Sequence, residues 1–366
     1  MTAQWDDVKN LLVIRPDNMG DIIMMTPALR AIKNTFKCRL TMLTSKMGSL
    51  ITPYIEEIDE TIIADLPWVK TNTPADAEQC KALIAKLQNY HFDAVVISTV
   101  YSQNPLPAAM LAFMAGIPRR VAYCRENPYN LLTDWLPDKE PFDYVRHQVE
   151  REINLVEAIG AQAGCSKLHL REDEQCWNSA KEKIIAKGVD ISKPWIIVHA
   201  GVSEEKREYP LALWVETVKE LYARTGFQLL LTGSDKDRLQ ADCITEDTAA
   251  ISLAGLLDIG EFIALIAHSE LLLSVNTASV HIAAAVDTPV VVLYAQTNLQ
   301  HTPWKVLSTV LPFTVPENLQ SKNVVVQHAR RKYFDGHYFE YPPARYVADI
   351  VVQILKKRRQ QILLSG

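Results

Sequence analysis

Residues 271–295, LLLSVNTASVHIAAAVDTPVVVLYA, decide the fold class of this 366-residue chain. An apolar run, Leu271–Val275, leads through Asn276-Thr277-Ala278-Ser279 into a helical pattern, and a second apolar run, Val290–Leu293, follows. Two near-continuous apolar strands around one helix predict a parallel βαβ unit in a sheet covered on both faces. The junction also carries a chemical expectation. A strand that feeds straight into a helix presents free N–H groups and the positive dipole end at the sheet's carboxyl edge, which suits an anion, most often a phosphate. His281 lies about one turn inside that helix, within reach of the same anion, and small Ala278 and Ser279 let a ligand approach the backbone. The plainer alternative makes Thr277 only an N-cap and His281 only a partly buried helical histidine.

The same rhythm runs through the chain. Strands are predicted at Leu11–Ile14, Leu40–Leu43, Thr61–Ile63 and Ala94–Ile97, with helices such as Pro27–Phe36 and Ala77–Gln88 between them. The pattern breaks between about Pro137 and Lys193, where a helix over Val149–Ile159 ends at Gly160. It resumes at Trp195–His199, Gln228–Leu231, Ala250–Leu253, Leu271–Val275 and Val290–Leu293. Two α/β domains with parallel sheets follow, 1–170 and 171–366, with a ligand cleft expected where the sheets' carboxyl edges face each other. The final helix is a candidate to pack back on the N-terminal domain.

Composition narrows the class. A hydrophobic content of 48% with 22% charged residues is that of a soluble globular protein, and the net charge of −5 argues against a nucleic-acid binder. Six scattered cysteines without a CxxC read as reduced thiols of a cytoplasmic protein. The opening MTAQWDDVKN is no signal peptide, and no stretch approaches the ~20 apolar residues of a membrane span. The protein is therefore expected in the cytoplasm, at most peripheral at a membrane face.

Three further connections could carry chemistry. After the first strand comes Arg15-Pro16-Asp17-Asn18-Met19-Gly20-Asp21, with Thr26-Pro27 as a plausible N-cap and first helical residue. Gly20 allows a tight turn and Asp21 then points from the sheet edge as a general base for a hydroxyl, or else merely caps the next helix. No GxGxxG and no GK[ST] is present there, which lowers dinucleotide and P-loop readings. After Trp195–His199, Gly201 and Ser203 offer backbone and hydroxyl donors while Lys206 or Arg207 supplies positive charge beside a phosphate. The segment Gly233-Ser234-Asp235-Lys236-Asp237 contains an Asp-x-Asp, for which a metal is not expected; Asp235 on a ribose hydroxyl is the better use.

LLVIRPDNMGDIIMMTPALRAIKNTF, Arg119-Arg120-Val121-Ala122-Tyr123, His147-Gln148-Val149-Glu150-Arg151 and the block ISLAGLLDIGEFIALIAHSELLLSVNTASVHIAAAVDTPVVVLY occur in that order. Together they resemble glycosyltransferase family 9, the lipopolysaccharide heptosyltransferases, over nearly the whole chain. The resemblance implies a GT-B fold of two Rossmann-like domains and inverting, metal-independent transfer of a heptose or related sugar. The donor would be a nucleotide-sugar, most often an ADP-sugar, and the acceptor a lipopolysaccharide-core or other glycolipid or oligosaccharide hydroxyl. It matches Asp21 to the catalytic base. Thr277, Ser279 and His281 fall at the pyrophosphate-binding helix start, and Leu257 at a position whose backbone contacts the nucleotide base. No cofactor is expected.

The donor half departs from the family pattern. Asn276-Thr277-Ala278 stands where the family usually has Asp-Thr-Gly, and the family's Lys position falls on Arg207, or on Lys206 if the loop shifts by one. Lys46, Arg119, Arg120, Arg125 and Arg146 are the N-terminal candidates to face an anionic acceptor, against the alternative of ordinary surface charge. The basic run Lys356-Lys357-Arg358-Arg359 is a candidate peripheral membrane contact or a set of helix C-terminal charges. A non-catalytic nucleotide-sugar-binding member of the fold, and less so a sugar-nucleotide epimerase, are the alternative functions.

Overall fold

The computed structural model describes residues 5–69, 76–334 and 338–365. The chain divides into two units, Met1–His169 with Asn323–Ala329, and Leu170–Lys322 with Arg330–Gly366. In the first, the elements run β1 (Asn10–Ile14), α1 (Met19–Phe36), β2 (Arg39–Thr44), α2 (Lys46–Ser49), β3 (Glu60–Ile63), α3 (Ala77–Tyr90), β4 (Ala94–Ile97), α4 (Leu106–Met114), β5 (Arg119–Cys124), β6 (Asp134–Pro137) and α5 (Gln148–Glu157). Among the described residues the strands form one parallel sheet in the order β3-β2-β1-β4-β5-β6.

The second unit runs α6 (Glu174–Ala186), β7 (Trp195–His199), α7 (Leu211–Thr225), β8 (Gln228–Thr232), α8 (Arg238–Glu246), β9 (Ile251–Ser252), α9 (Ile259–Ala267), β10 (Leu271–Val275), α10 (Ala278–Ala285), β11 (Val290–Ala295) and β12 (Ser308–Phe313). Helices α11 (Val324–Tyr333) and α12 (Ala344–Ser365) follow. Its sheet is also parallel, in the order β12-β11-β10-β7-β8-β9. Renumbered within each unit, both sheets have the doubly wound order 3-2-1-4-5-6. Crossovers leave the first strand towards one edge and the fourth towards the other, so a crevice opens at the carboxyl ends of those two strands. In the first unit that switch point lies at β1 and β4; in the second, at β7 and β10.

Three sequence expectations change. Helix α1 begins at Met19 rather than at Pro27, so Thr26-Pro27 is not a cap but lies buried inside the helix. The reason is local. Pro27 has no N–H for the carbonyl of Ile23, and the Thr26 hydroxyl donates to that oxygen instead, at 2.9 Å. Strands β5, β6 and β12 extend sheets that the sequence reading left shorter. Finally, α12 packs within the second unit, where Val347, Ala348, Val351, Ile354 and Leu355 join the core around β10, β11 and Trp214. The later segment that joins the first unit is Asn323–Ala329 instead.

Candidate functional site

The first switch point is built around a buried arginine. The chain leaves β1 at Ile14, and the ladder continues one step beyond it: Arg15 N–H donates to Leu43 O (3.0 Å) and Ser98 N–H to Ile14 O (3.1 Å). The Arg15 side chain, 0% exposed, therefore projects from a fixed backbone into the carboxyl edge. Its Nε lies 3.0 Å from Asp17, Nη2 2.9 Å from Asp21 and Nη1 3.2 Å from Glu152 of α5. Nη1 also donates to Ser98 Oγ at 2.7 Å, and that hydroxyl donates to Glu152. Burial opposes the guanidinium charge, but three carboxylates overcome it and hold Arg15 firmly ionised.

Asp21 is the third residue of α1, not a loop residue. It forms a capping box with Asn18, its Oδ2 accepting from Asn18 N–H at 3.3 Å while Oδ1 faces Arg15. Its side chain keeps 15% exposure, so the capping role and an accessible carboxylate coexist. Gly20 sits beside it within the helix, buried, rather than in a tight turn. Asp17 is different. Burial raises its pKa to about 6, with repulsion from Asp21 and Glu152 adding to the rise, while Arg15 and a 2.6 Å hydrogen bond from Gln103 Nε2 pull it down.

A second buried network adjoins through α5. Arg151 bonds Asp138 (2.9 and 3.0 Å) and Glu140 (2.8 Å), with its guanidinium 4.3 Å from the centre of the Tyr123 ring. Arg151 and Glu152 lie on the helix's buried stripe with Gln148 and Leu155, at helical spacing. Two adjacent charges on an otherwise apolar face were the available signal for both networks.

The proposed acceptor cations separate on this frame. Arg119 and Arg120 open β5, opposite Ala94 and Val95, and so stand at the amino edge of the sheet, away from Asp21. Arg119 pairs with Asp7, and buried Arg120 donates to the carbonyls of Ile117, Pro118, Asn130 and Leu131. Neither belongs with an acceptor at the carboxyl edge. Arg125, just past β5, is spent on Tyr101 O, Glu140 O and Asp138. Arg146 lies over the Tyr144 ring at 4.6 Å, and Lys46 opens α2 exposed to solvent; these two remain at the carboxyl side with their charge accessible.

The second switch point contains no carboxylate at its helix start. Thr277 is the N-cap of α10 in extended conformation, and its hydroxyl meets Ser279 Oγ at 2.8 Å; Ser274 Oγ lies 2.8 Å from the same atom. His281, 5% exposed, occupies the fourth position of α10 with His301 at 6.3 Å between ring centres. Asn276 turns away from the helix: Nδ2 donates to Thr297 Oγ1 (3.1 Å), and Oδ1 accepts from Ala295 N–H (3.2 Å). An aspartate could not make that donor contact, so the amide ties β10 to the end of β11. Ala278 is the first residue of α10.

The loop after β7 lies alongside. Arg207 Nη1 donates to Asn276 O at 3.1 Å, and Glu204 pairs with both Arg207 (3.2 Å) and Lys206 (3.3 Å). Arg207 thus braces the chain leading into α10. Ser203 is exposed and Gly201 buried; a Cβ on Gly201 would stand 2.5 Å from Asp237 Oδ2, so a side chain there would displace the Asp237 carboxylate. Asp235 is exposed and paired with Arg238 at 2.7 Å, and Asp237 accepts from Ser234 N–H (2.7 Å) and Oγ (2.8 Å). Leu257 precedes the Asp258 N-cap of α9 and is half-buried. Sequence reasoning missed His199, the last residue of β7, whose Nδ1 meets Thr232 Oγ1 at 3.0 Å; burial depresses its pKa to about 4, against an opposing pull from Asp237.

Among the described residues no helix is long and apolar enough to cross a membrane. Residues 80–333 match the sequence model of glycosyltransferase family 9 (heptosyltransferase). The chain is 30% identical over 303 residues to lipopolysaccharide heptosyltransferase 3 of Escherichia coli, spanning 78% of this chain and 82% of that protein. Among solved structures, a family 9 glycosyl transferase from Veillonella parvula superposes with a TM-score of 0.78 at 18% identity, over 98% of this chain and 99% of the other. ADP-heptose lps heptosyltransferase II of E. coli does so with 0.71 at 21% identity, over 96% and 99%. The fold is thus GT-B, two Rossmann-like domains. With doubly wound topology in both units and the family match across most of its length, the chain belongs to glycosyltransferase family 9, the heptosyltransferase family.

Proposed function

We propose that this glycosyltransferase moves a heptose or related sugar from an ADP-sugar to a hydroxyl of a lipopolysaccharide-core or other cell-surface glycan. The transfer inverts the anomeric centre and needs no metal. The observation that carries this reading is that each unit has its own, unlike switch point: an accessible carboxylate braced by Arg15 in the first, and a hydroxyl-lined helix start in the second. Asp21 takes the acceptor proton as the new glycosidic bond forms. The departing diphosphate is received by the α10 N–H groups, the Thr277 and Ser279 hydroxyls and His281, with Lys206 and Arg207 adding positive charge. These donors replace the charge compensation a divalent ion would otherwise supply. The ADP-heptose in the name of the E. coli structural relative supports the choice of donor, and the names of the relatives support the acceptor class.

Lys46 and Arg146 are the cations assigned to an anionic acceptor. The far end of α12 exposes Lys356, Lys357 and Arg359 together with Ile362, Leu363 and Leu364, a composition suited to peripheral contact with an anionic cytoplasmic membrane surface. Arg358 takes no part, since it donates to Ser269 O at 2.9 Å.

The test is calorimetric binding of ADP, UDP and GDP with and without magnesium, followed by transfer from ADP-heptose to truncated lipopolysaccharide. Metal-independent preference for ADP and release of ADP upon transfer are expected. Asp21→Asn should lower transfer at least a hundredfold, within the span of general-base contributions, with ADP affinity retained. Retained transfer by Asp21→Asn would remove Asp21 as the base; nucleotide binding without diphosphate release in any acceptor mixture would indicate a non-catalytic member.

A further inference from the structure

The Arg15 cluster holds more acid than a base needs. One guanidinium faces Asp17, Asp21 and Glu152, each through a different nitrogen and each within 3.2 Å. With all three carboxylates ionised, one positive charge is shared among three negative ones. Asp21 and Asp17 keep nearly the same side-chain exposure, 15% and 14%, but the Asp17 oxygen that faces Arg15, Oδ2, is sealed from solvent. The Asp17 carboxylate is approached by Arg15 from the end of β1, Gln103 from the segment after β4, and more distantly by Asp21 of α1 and Glu152 of α5. From the α2 side Ser45 Oγ donates only to the Asp17 carbonyl, at 2.7 Å, and that helix's single charge, Lys46, is exposed.

We propose that Asp17 is a positioning residue that sets the base strength of Asp21 through the guanidinium they share. Ionised, Asp17 draws part of Arg15's field to itself and leaves Asp21 the stronger proton acceptor. Protonated, it releases that field to Asp21, which then holds a proton less well. The raised proton affinity that burial confers on Asp17 places this exchange near neutral pH rather than in the acid range. Gln103 sets the point of exchange, because its amide donates to the Asp17 carboxylate and favours the ionised form. Glu152, enclosed and hydrogen-bonded by Ser98 and Gln148, anchors the other side of Arg15. The inference rests on Asp21 being the base.

The experiment is the pH dependence of kcat and kcat/KM for sugar transfer, from pH 5 to 9, in the wild type, Asp17→Asn, Gln103→Leu and Asp21→Asn. The wild type should show an acid limb with two linked protonations. Asp17→Asn should reduce the limb to one protonation, move it down by about half to one pH unit, and lower the plateau kcat roughly three- to tenfold, with the donor KM unchanged. Gln103→Leu keeps every acid in place and should move the upper inflection to higher pH, the opposite direction. Profiles in Asp17→Asn and Gln103→Leu that superimpose on the wild type, whatever their absolute rates, would overturn the role of Asp17. Retained transfer by Asp21→Asn would instead overturn the base assignment on which it depends.

Discussion

The two units share a strand order and treat the same topological position in opposite ways. Past β1 the first residue is Arg15, buried and surrounded by Asp17, Asp21 and Glu152; past β7 come Ala200 and Gly201, and the facing helix start carries only hydroxyls. In the first unit the residue after β4, Ser98, joins the ion cluster, while in the second the residue after β10, Asn276, is turned towards β11. One crevice has a buried ion cluster at its centre, and at the other the helix start itself carries hydroxyls. The lesson is that the doubly wound order supplies a place, and the residue leaving the first strand decides what that place can do.

The largest effect that could break this comparison comes from removing the buried charge. Arg15→Leu leaves three carboxylates around an apolar side chain, and breaking a buried ion pair in this way costs about 3–5 kcal/mol. Chemical denaturation should show a loss of that size or no folded first unit. A loss under about 1 kcal/mol would mean the cluster is far more hydrated than its burial indicates.

Charging the α10 start is the next test. Aspartate caps helices at least as well as threonine, so Thr277→Asp should fold normally. It places a negative charge at the proposed diphosphate seat, and ADP affinity should then fall about 10- to 100-fold, with the loss shrinking at high salt. Unchanged affinity would separate the α10 start from the nucleotide.

The smallest effect concerns His199. Its pKa is depressed by burial to about 4 from an ordinary 6.5, so the folded state favours the neutral ring. The stability this confers is complete above pH 6.5 and is lost as pH falls towards 4. The wild type should therefore lose Tm more steeply than His199→Gln over that window. Parallel curves would show that the imidazole is protonated without cost and that the second crevice is wetter than the first.

Much of the fold was legible in the chain. Apolar runs at β1, β4, β7, β10 and β11 are long enough to mark buried parallel strands, and the α10 junction was readable from Asn276 to His281. Strands β5 and β6 were missed because they begin with charged residues, Arg119, Arg120 and Asp134, that the sheet's amino edge tolerates. The start of α1 was placed late because a proline usually marks a first turn, and nothing local reveals that the Thr26 hydroxyl serves the Ile23 carbonyl. Of the site, Asp21 stood out beside a glycine, whereas its partners are scattered from Arg15 to Glu152.

The sequence by itself determined the class of the protein: alternation of apolar strand and helix is a local pattern, written in neighbouring residues and read without knowing which strands pair. It also contained the strand-to-helix junctions at which chemistry could occur, since a helix start offers its N–H groups wherever it lies. Only the tertiary structure decided which of the candidate charges belong to such a junction. Arg120 and Arg15 are both buried arginines beside strands, yet one faces carbonyls at the amino edge and the other carboxylates at the carboxyl edge. That difference follows from strand direction and from α5 packing Glu152 against Arg15, 137 residues away in the chain. Coulombic partners are chosen by distance in space, which a linear pattern does not encode.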